Sequence, residues 1–185
     1  MRIISGELKG KTISFLKSSI TRPLKDSVKE NIFNILRHSN LLTVNLKDSR
    51  ILDLYSGIGS FGIECISRGA KKVTFVEKDK NAFNILNKNL TNLFIEKKAI
   101  IISQEIELFL KKDLNETFEI IFLDPPFSDS SYLSILKIIK EKKIFKKNHI
   151  IIIHRERKKL DDFTNILNLT LIKQYGRSKI IFGKF

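Results

Sequence analysis

Residues 50–79 read "RILDLYSGIGSFGIECISRGAKKVTFVEKD". An apolar run (Ile51, Leu52, Leu54) stops at a glycine-rich turn, a helical stretch follows, and a second apolar run ends in acids. Strand, turn, helix and strand in that order form the unit of a parallel sheet with crossover helices. In such an open α/β sheet, ligands bind outside the carboxyl ends of the strands, so the strand-ending residues are the ones to question. The first strand carries Asp53 and leads into Gly57, Gly59 and Gly62, which have G-x-G-x-x-G spacing. Glycines let the backbone turn tightly and approach a ligand closely, and the following helix offers free N–H groups. The second strand ends in Glu77, twenty residues beyond Gly57, where a carboxylate meets a ribose diol. A nucleoside-containing cofactor follows, and nicotinamide dinucleotide and S-adenosylmethionine both fit this unit.

Outward from this stretch the rhythm continues. A helix is predicted over 80–92, a strand over 98–103 ("KAIIIS"), a helix over 105–112, the strand "FEIIFLD", a helix over 132–142 and the strand "HIIIIH". The final "LTLIKQYGRSKIIFGKF" reads as two strands joined around Tyr175-Gly176-Arg177, an antiparallel edge on a mostly parallel seven-stranded sheet. Towards the N-terminus, residues 2–15 alternate around Lys9-Gly10 as a hairpin. "TRPLKDSVKENIFNIL" then gives a helix with Val28, Ile32, Ile35 and Leu36 on one stripe, Ser27 and Glu30 at capping-box spacing, and Pro23 just ahead of it. The organisation expected is an extension over 1–45 and an α/β domain over 46–185.

The 185 residues and 42% hydrophobic content suffice for one cored domain. No apolar stretch reaches the roughly 18 residues that cross a membrane, and "MRIISGELKG" has no signal-peptide pattern, so a cytoplasmic protein is expected. One cysteine, Cys65, sits in an apolar helical stretch and reads as buried and inert, and His38, His149 and His154 show no ligand spacing. Metal-free chemistry is the default. A net charge of +14, from 34 Lys and Arg against 20 Asp and Glu, points to a polyanionic partner, nucleic acid first.

The tetrapeptide Asp124-Pro125-Pro126-Phe127 follows the continuous run Ile120–Leu123. Two prolines remove two backbone donors and stiffen the turn, leaving carbonyls to accept from something else. A carboxylate beside a fixed carbonyl is a pair of acceptors, and the exocyclic amine of a nucleobase is a pair of donors. Phe127 adds a flat face for an extruded base, a contact of about 1–3 kcal/mol. An aryl amine is a poor nucleophile because its lone pair is delocalised, and accepting from its N–H groups localises that pair towards an electrophile. Asp124 and the Pro125 carbonyl would do so in the transition state, where charge on nitrogen develops. That separates S-adenosylmethionine from nicotinamide dinucleotide, for which the cup would be idle.

These residues resemble the bacterial 16S ribosomal RNA guanine-N2 methyltransferases that act on the small subunit at guanine 966. The likeness covers nearly the whole chain: "MRIISGELKGK" and "TRPLKDSVKENIFNIL", "ILDLYSGIGSFGIECISRGAKKVTFVEKD", "FEIIFLDPPF" and "YGRSKIIFGKF". The "TRP…VKE…FNIL" element is specific, whereas the glycine loop and D-P-P-F are shared with amino-methyltransferases at large. The resemblance implies a Rossmann-like class I methyltransferase. Asp53, Gly57 and Gly59 would line the S-adenosylmethionine site, Glu77 would hold the ribose, and Asp124, Pro125, Pro126 and Phe127 would hold the guanine. Thr21, Arg22 and Pro23 would face RNA, and Arg2, Lys9, Lys11 and Lys25 could grip phosphates. Where the family usually has an Asp to meet the adenine amine, this chain offers Glu105 or Gln104.

The leading expectation is therefore transfer of a methyl group from S-adenosylmethionine to a guanine N2 amine of 16S rRNA, in the small ribosomal subunit or its assembly intermediate, by a monomer without a metal. One alternative is a DNA adenine-N6 methyltransferase, although few residues remain for a target-recognition region. The other is a non-catalytic RNA-binding or assembly protein.

Overall fold

Isoleucine and leucine runs bounded by turns set the centre of the molecule. The computed structural model describes residues 1–15 and 24–185. Its elements are α1 (Asp26–His38), β1 (Arg50–Leu54), α2 (Ser60–Ser67), β2 (Lys72–Val76), α3 (Lys80–Leu93), β3 (Ala99–Ile102), α4 (Ile106–Lys111), β4 (Phe118–Leu123), α5 (Tyr132–Lys142), β5 (Phe145–Glu156), β6 (Asn168–Tyr175) and β7 (Ser178–Lys184).

The seven strands form one sheet in the order β3-β2-β1-β4-β5-β7-β6. The first five run parallel, and β7 runs antiparallel to both β5 and β6. The expected antiparallel edge is present, with the last strand inserted between β5 and β6. From β1 the chain steps outward to β2 and β3, then returns to place β4 on the other flank of β1. That reversal opens a crevice beyond the carboxyl ends of β1 and β4.

The continuous runs are buried on both faces, as a parallel sheet demands. Ile51, Ile120, Phe122, Ile150 and Ile152 pack with residues of α1, α2 and α3, whereas Leu52, Leu54, Ile121, Leu123, Ile151 and Ile153 pack with α4 and α5. Val28, Ile32, Phe33 and Leu36 of α1 join the first cluster, so the 1–45 extension and the sheet share one core. Cys65 is fully buried in it, and burial pushes its thiol up, away from the reactive thiolate.

One local expectation differs. The capping box does not form: α1 starts at Asp26, Lys25 takes the cap position with no side-chain cap bond, and Ser27 lies inside the first turn. Asp26 supplies the favourable charge there instead and pairs with Lys29 at 3.6 Å. The expected N-terminal hairpin is present in short form: around the antiparallel Arg2–Thr12 bridge, Ile3 N–H donates to the Lys11 carbonyl, Gly10 N–H to the Ile3 carbonyl and Ile13 N–H to the Met1 carbonyl, each at 2.9 Å. Other N–H groups of its turn find partners on α2. The Ile4 and Ser5 N–H groups donate to the buried Glu64 carboxylate at 2.8 and 3.0 Å, Glu7 N–H donates to the Ser67 carbonyl at 2.8 Å, and Leu8 N–H donates to Ser67 Oγ at 3.0 Å. Gly6, with φ +87°, touches α2 so closely that a Cβ would lie 1.9 Å from the Ser67 oxygen.

Candidate active site

Beyond the ends of β1, β2 and β4 lies a cleft of about 600 Å³. It gathers Asp53, Gly57, Glu77, Glu105 and the whole of Asp124–Phe127, residues that the chain scatters over seventy positions.

Asp53 lies at its floor, buried. Its Oδ2 accepts from the Gly62 N–H at 3.0 Å, while Oδ1 is buried with no partner among the described residues. Burial raises the Asp53 carboxyl well above its ordinary range, and the nearby Asp124 and Glu77 push it the same way. A cation in the cleft would satisfy that orphaned oxygen. Gly57 has φ +54° and open space where a Cβ would stand, so its backbone is approachable. Gly62 has a different task, since a Cβ there would lie 2.2 Å from the Phe75 ring. Glu77 is held from two sides: Gly57 N–H donates to its Oε2 at 2.7 Å and Asp79 N–H to its Oε1 at 2.8 Å. Each oxygen keeps a lone pair for a ligand hydroxyl.

Of the two residues ahead of α4, Glu105 takes the N-cap position, with an exposed side chain paired to Lys78 at 3.3 Å. Gln104 also lines the cleft, accepts from Lys112 Nζ at 3.2 Å, and leaves its Nε2 buried without a partner among the described residues.

The tetrapeptide loop is braced from β5. Arg155, 2% exposed, donates to the Pro126 carbonyl at 3.1 Å and the Phe127 carbonyl at 3.5 Å, is paired with Asp161 at 3.2 Å, and stacks over the Tyr132 ring. The Pro126 carbonyl also accepts from Asp129 N–H at 2.8 Å. The Pro125 carbonyl has no such partner among the described residues, so one proline acceptor is occupied within the protein and the other is available. Tyr55 donates its hydroxyl to Asp129 Oδ2 at 3.2 Å, joining the glycine-loop side to the tetrapeptide side.

Sequence reasoning misses His154. Its Nδ1 lies 2.8 Å from Asp124 Oδ1, and its ring meets Phe127 edge-on at 5.5 Å. The parallel register of β4 and β5 pairs Ile120 with Ile150, Ile121 with Ile151, Phe122 with Ile152, and Leu123 with Ile153. Asp124 and His154 simply continue it. A signal does exist, because His154 closes the "HIIIIH" run at a carboxyl strand end, but metal-ligand spacing alone does not reveal it.

Arg2, Lys9, Lys11 and Lys25 are exposed, and Phe15 and Leu24 on either side of 16–23 line the cleft. Thr21, Arg22 and Pro23 lie outside the described residues. The N-terminal arm is tied to the glycine loop by Asn89. Its amide accepts from Ser14 N–H at 2.8 Å and donates to the Ser14 carbonyl at 3.1 Å and the Ile58 carbonyl at 3.2 Å.

A family model described as "Conserved hypothetical protein 95" matches residues 1–184. The chain is 38% identical over 156 residues to "Ribosomal RNA small subunit methyltransferase D" of Buchnera aphidicola, covering 84% of this chain and 78% of that one. It is 37% identical to the Haemophilus influenzae protein of the same name, over 94% and 87% of the two chains. Among solved structures, Haemophilus influenzae HI0767 superposes with a TM-score of 0.79 at 33% identity, over 98% and 96% of the chains. SMU.776, solved in complex with SAH, shares the fold at a TM-score of 0.66 and 14% identity, over 82% of this chain and 49% of that one. With the seven-stranded sheet, the cleft at its switch point and these relatives together, the chain belongs to the family of the ribosomal RNA small subunit methyltransferase D proteins.

Proposed function

We propose that this protein transfers a methyl group from S-adenosyl-L-methionine to the exocyclic N2 amine of a guanine in 16S rRNA, acting on the small ribosomal subunit or its assembly intermediate. The observation that carries the reading is that one cleft holds both an unpartnered buried carboxylate oxygen, at Asp53, and the Asp124–Phe127 cup. The residues suit the cofactor. Asp53 Oδ1 answers its ammonium, the open backbone at Gly57 admits its close approach, Glu77 accepts from the ribose hydroxyls, and Gln104 Nε2 and Glu105 offer a donor and an acceptor to an adenine edge. When bound, S-adenosylmethionine supplies an electrophilic methyl group.

The protein's own part is positioning. Asp124 and the Pro125 carbonyl accept from the amine and localise its lone pair as charge develops on nitrogen. Guanine suits a carboxylate because N1–H and N2–H are adjacent donors, whereas adenine and cytosine offer only the exocyclic amine. Phe127 stacks the base once it has left the RNA stack, at a cost of a few kcal/mol that loops and ends reduce. Arg2, Lys9, Lys11 and Lys25 are the proposed phosphate contacts, and Thr21, Arg22 and Pro23 are proposed to meet the RNA. Exposed Arg157, Lys158 and Arg177 extend the basic rim at the same end of β5.

The test is methyl transfer from labelled cofactor to small subunits and to naked 16S RNA from cells lacking the modification, with nucleoside analysis. N2-methylguanosine at one site is expected, abolished by Asp124→Ala with cofactor binding retained. N6-methyladenine in duplex DNA, or no transfer despite bound cofactor, overturns the reading.

A further inference from the structure

We propose that His154 is the positioning residue of the site, holding one oxygen of Asp124 so that the other is presented to the target amine. The inference rests on the amine-methyltransferase reading of the cup. A carboxylate oxygen only accepts, so in the 2.8 Å contact Nδ1 carries the hydrogen and donates it to Asp124 Oδ1. Nε2 is buried with no partner among the described residues. A hydrogen there would be an orphaned buried donor, whereas a bare lone pair leaves only an unused acceptor, so the bond at Nδ1 selects the tautomer.

The arrangement is stiff. His154 is 5% exposed and lies within the central, fully paired strand β5, while Asp124 is the first residue past β4 and is still tied to β1 by its N–H donating to the Leu54 carbonyl at 3.3 Å. The ring also meets Phe127 edge-on, so a single imidazole orients the carboxylate and backs the stacking face. The next residue, Arg155, holds the carbonyls of Pro126 and Phe127. The end of β5 thus builds the cup from below, though nothing in the tetrapeptide itself announces it. Asp124, 22% exposed at its side chain, would otherwise be free to rotate and to turn both oxygens to water. Fixing it lowers the reorganisation needed when the amine acquires charge, an effect felt in the chemical step.

The test compares His154→Asn and His154→Leu with wild type in single-turnover transfer to small subunits, alongside cofactor affinity by calorimetry. An Asn amide can donate from close to where Nδ1 stands, and Leu cannot donate. His154→Leu is expected to slow the chemical step by about 10- to 100-fold, the scale of a lost hydrogen bond to a charged group, with the RNA half-saturation and cofactor affinity nearly unchanged. His154→Asn is expected to recover most of the rate. Equal rates for His154→Leu and wild type, or a His154→Asn no faster than His154→Leu, overturn the inference. Nitrogen NMR of the wild-type histidines, of which there are three, gives an answer without any variant: an Nδ1-protonated ring at His154 supports the assignment and an Nε2-protonated ring overturns it. The two readings fail differently. A wild type that methylates no guanine sinks the proposed reaction. An active wild type with a dead Asp124→Ala and a fully active His154→Leu sinks only the role of His154.

Discussion

Asp53 carries a conflict between stability and function that one substitution exposes. Its carboxyl is raised by burial first, has one bonded oxygen and one orphaned, and faces two further acids. An amide would keep the acceptor for Gly62 N–H and turn the orphaned position into a donor towards Glu77 or Asp124. Asp53→Asn is therefore expected to raise the melting temperature of the ligand-free protein, by about 2–4 °C for each kcal/mol relieved in a chain of this size. It should weaken S-adenosylmethionine binding by about tenfold or more, the cost of losing a charge-assisted contact. A thermal scan and a calorimetric titration check both halves, and a variant that loses stability contradicts the account. That Asp53, Gly57, Glu77 and Asp124–Phe127 share one cleft was legible from sequence, because each stands at or just past the carboxyl end of a strand. His154 and Arg155 were not, because their meaning comes from pairing with β4, and a single chain read linearly shows neither register nor contact.

At the scale of elements, the strands and helices were legible wherever periodicity was strong. The β2, β4 and β5 runs and the α3 and α5 stretches fall within a few residues of expectation. Local signals are silent on which distant element each one meets. The N-terminal turn keeps its short hairpin pairing, but its seat on Glu64 and Ser67 of α2 and the insertion of β7 between β5 and β6 are choices of distant partner that no short stretch encodes. The arm's seat on α2 has its own prediction. Gly6→Ala places a methyl group against the Ser67 carbonyl at a positive φ, so the arm must lift. We expect a loss of about 1–3 kcal/mol in denaturant unfolding and faster hydrogen exchange at the Ile4, Ser5 and Leu8 amides. Unchanged exchange at those amides would show that the arm does not depend on this contact.

The whole molecule responds to pH through a group far from the cleft. His149 is buried, its Nδ1–H donates to the Lys146 carbonyl at 2.8 Å, and its Nε2 accepts from the Phe185 N–H at 3.1 Å. Burial lowers its pKa below the ordinary 6.5. The unfolded chain therefore takes up this proton first on acidification, so the stabilisation is complete above about pH 6.5 and is lost as pH falls through the lower folded value. Denaturant midpoints should decline from pH 7 to pH 5, and His149→Phe, less stable at neutral pH, should flatten that decline. An unaltered slope in the variant would assign it to other groups. No helix among the described residues is long and apolar enough to cross a membrane, and the +14 charge is spread over a chain whose chemistry gathers at one end of a sheet. The route between Asp124 and His154 is a detour of thirty residues through a loop and α5, yet the two meet because their strands lie side by side. Their partnership is thus recorded in lateral alignment and not in distance along the chain. Evolution is free to lengthen, trim or redecorate the excursion, provided that it never slips the strands by one step, which would turn the imidazole to the opposite face and leave the acid alone.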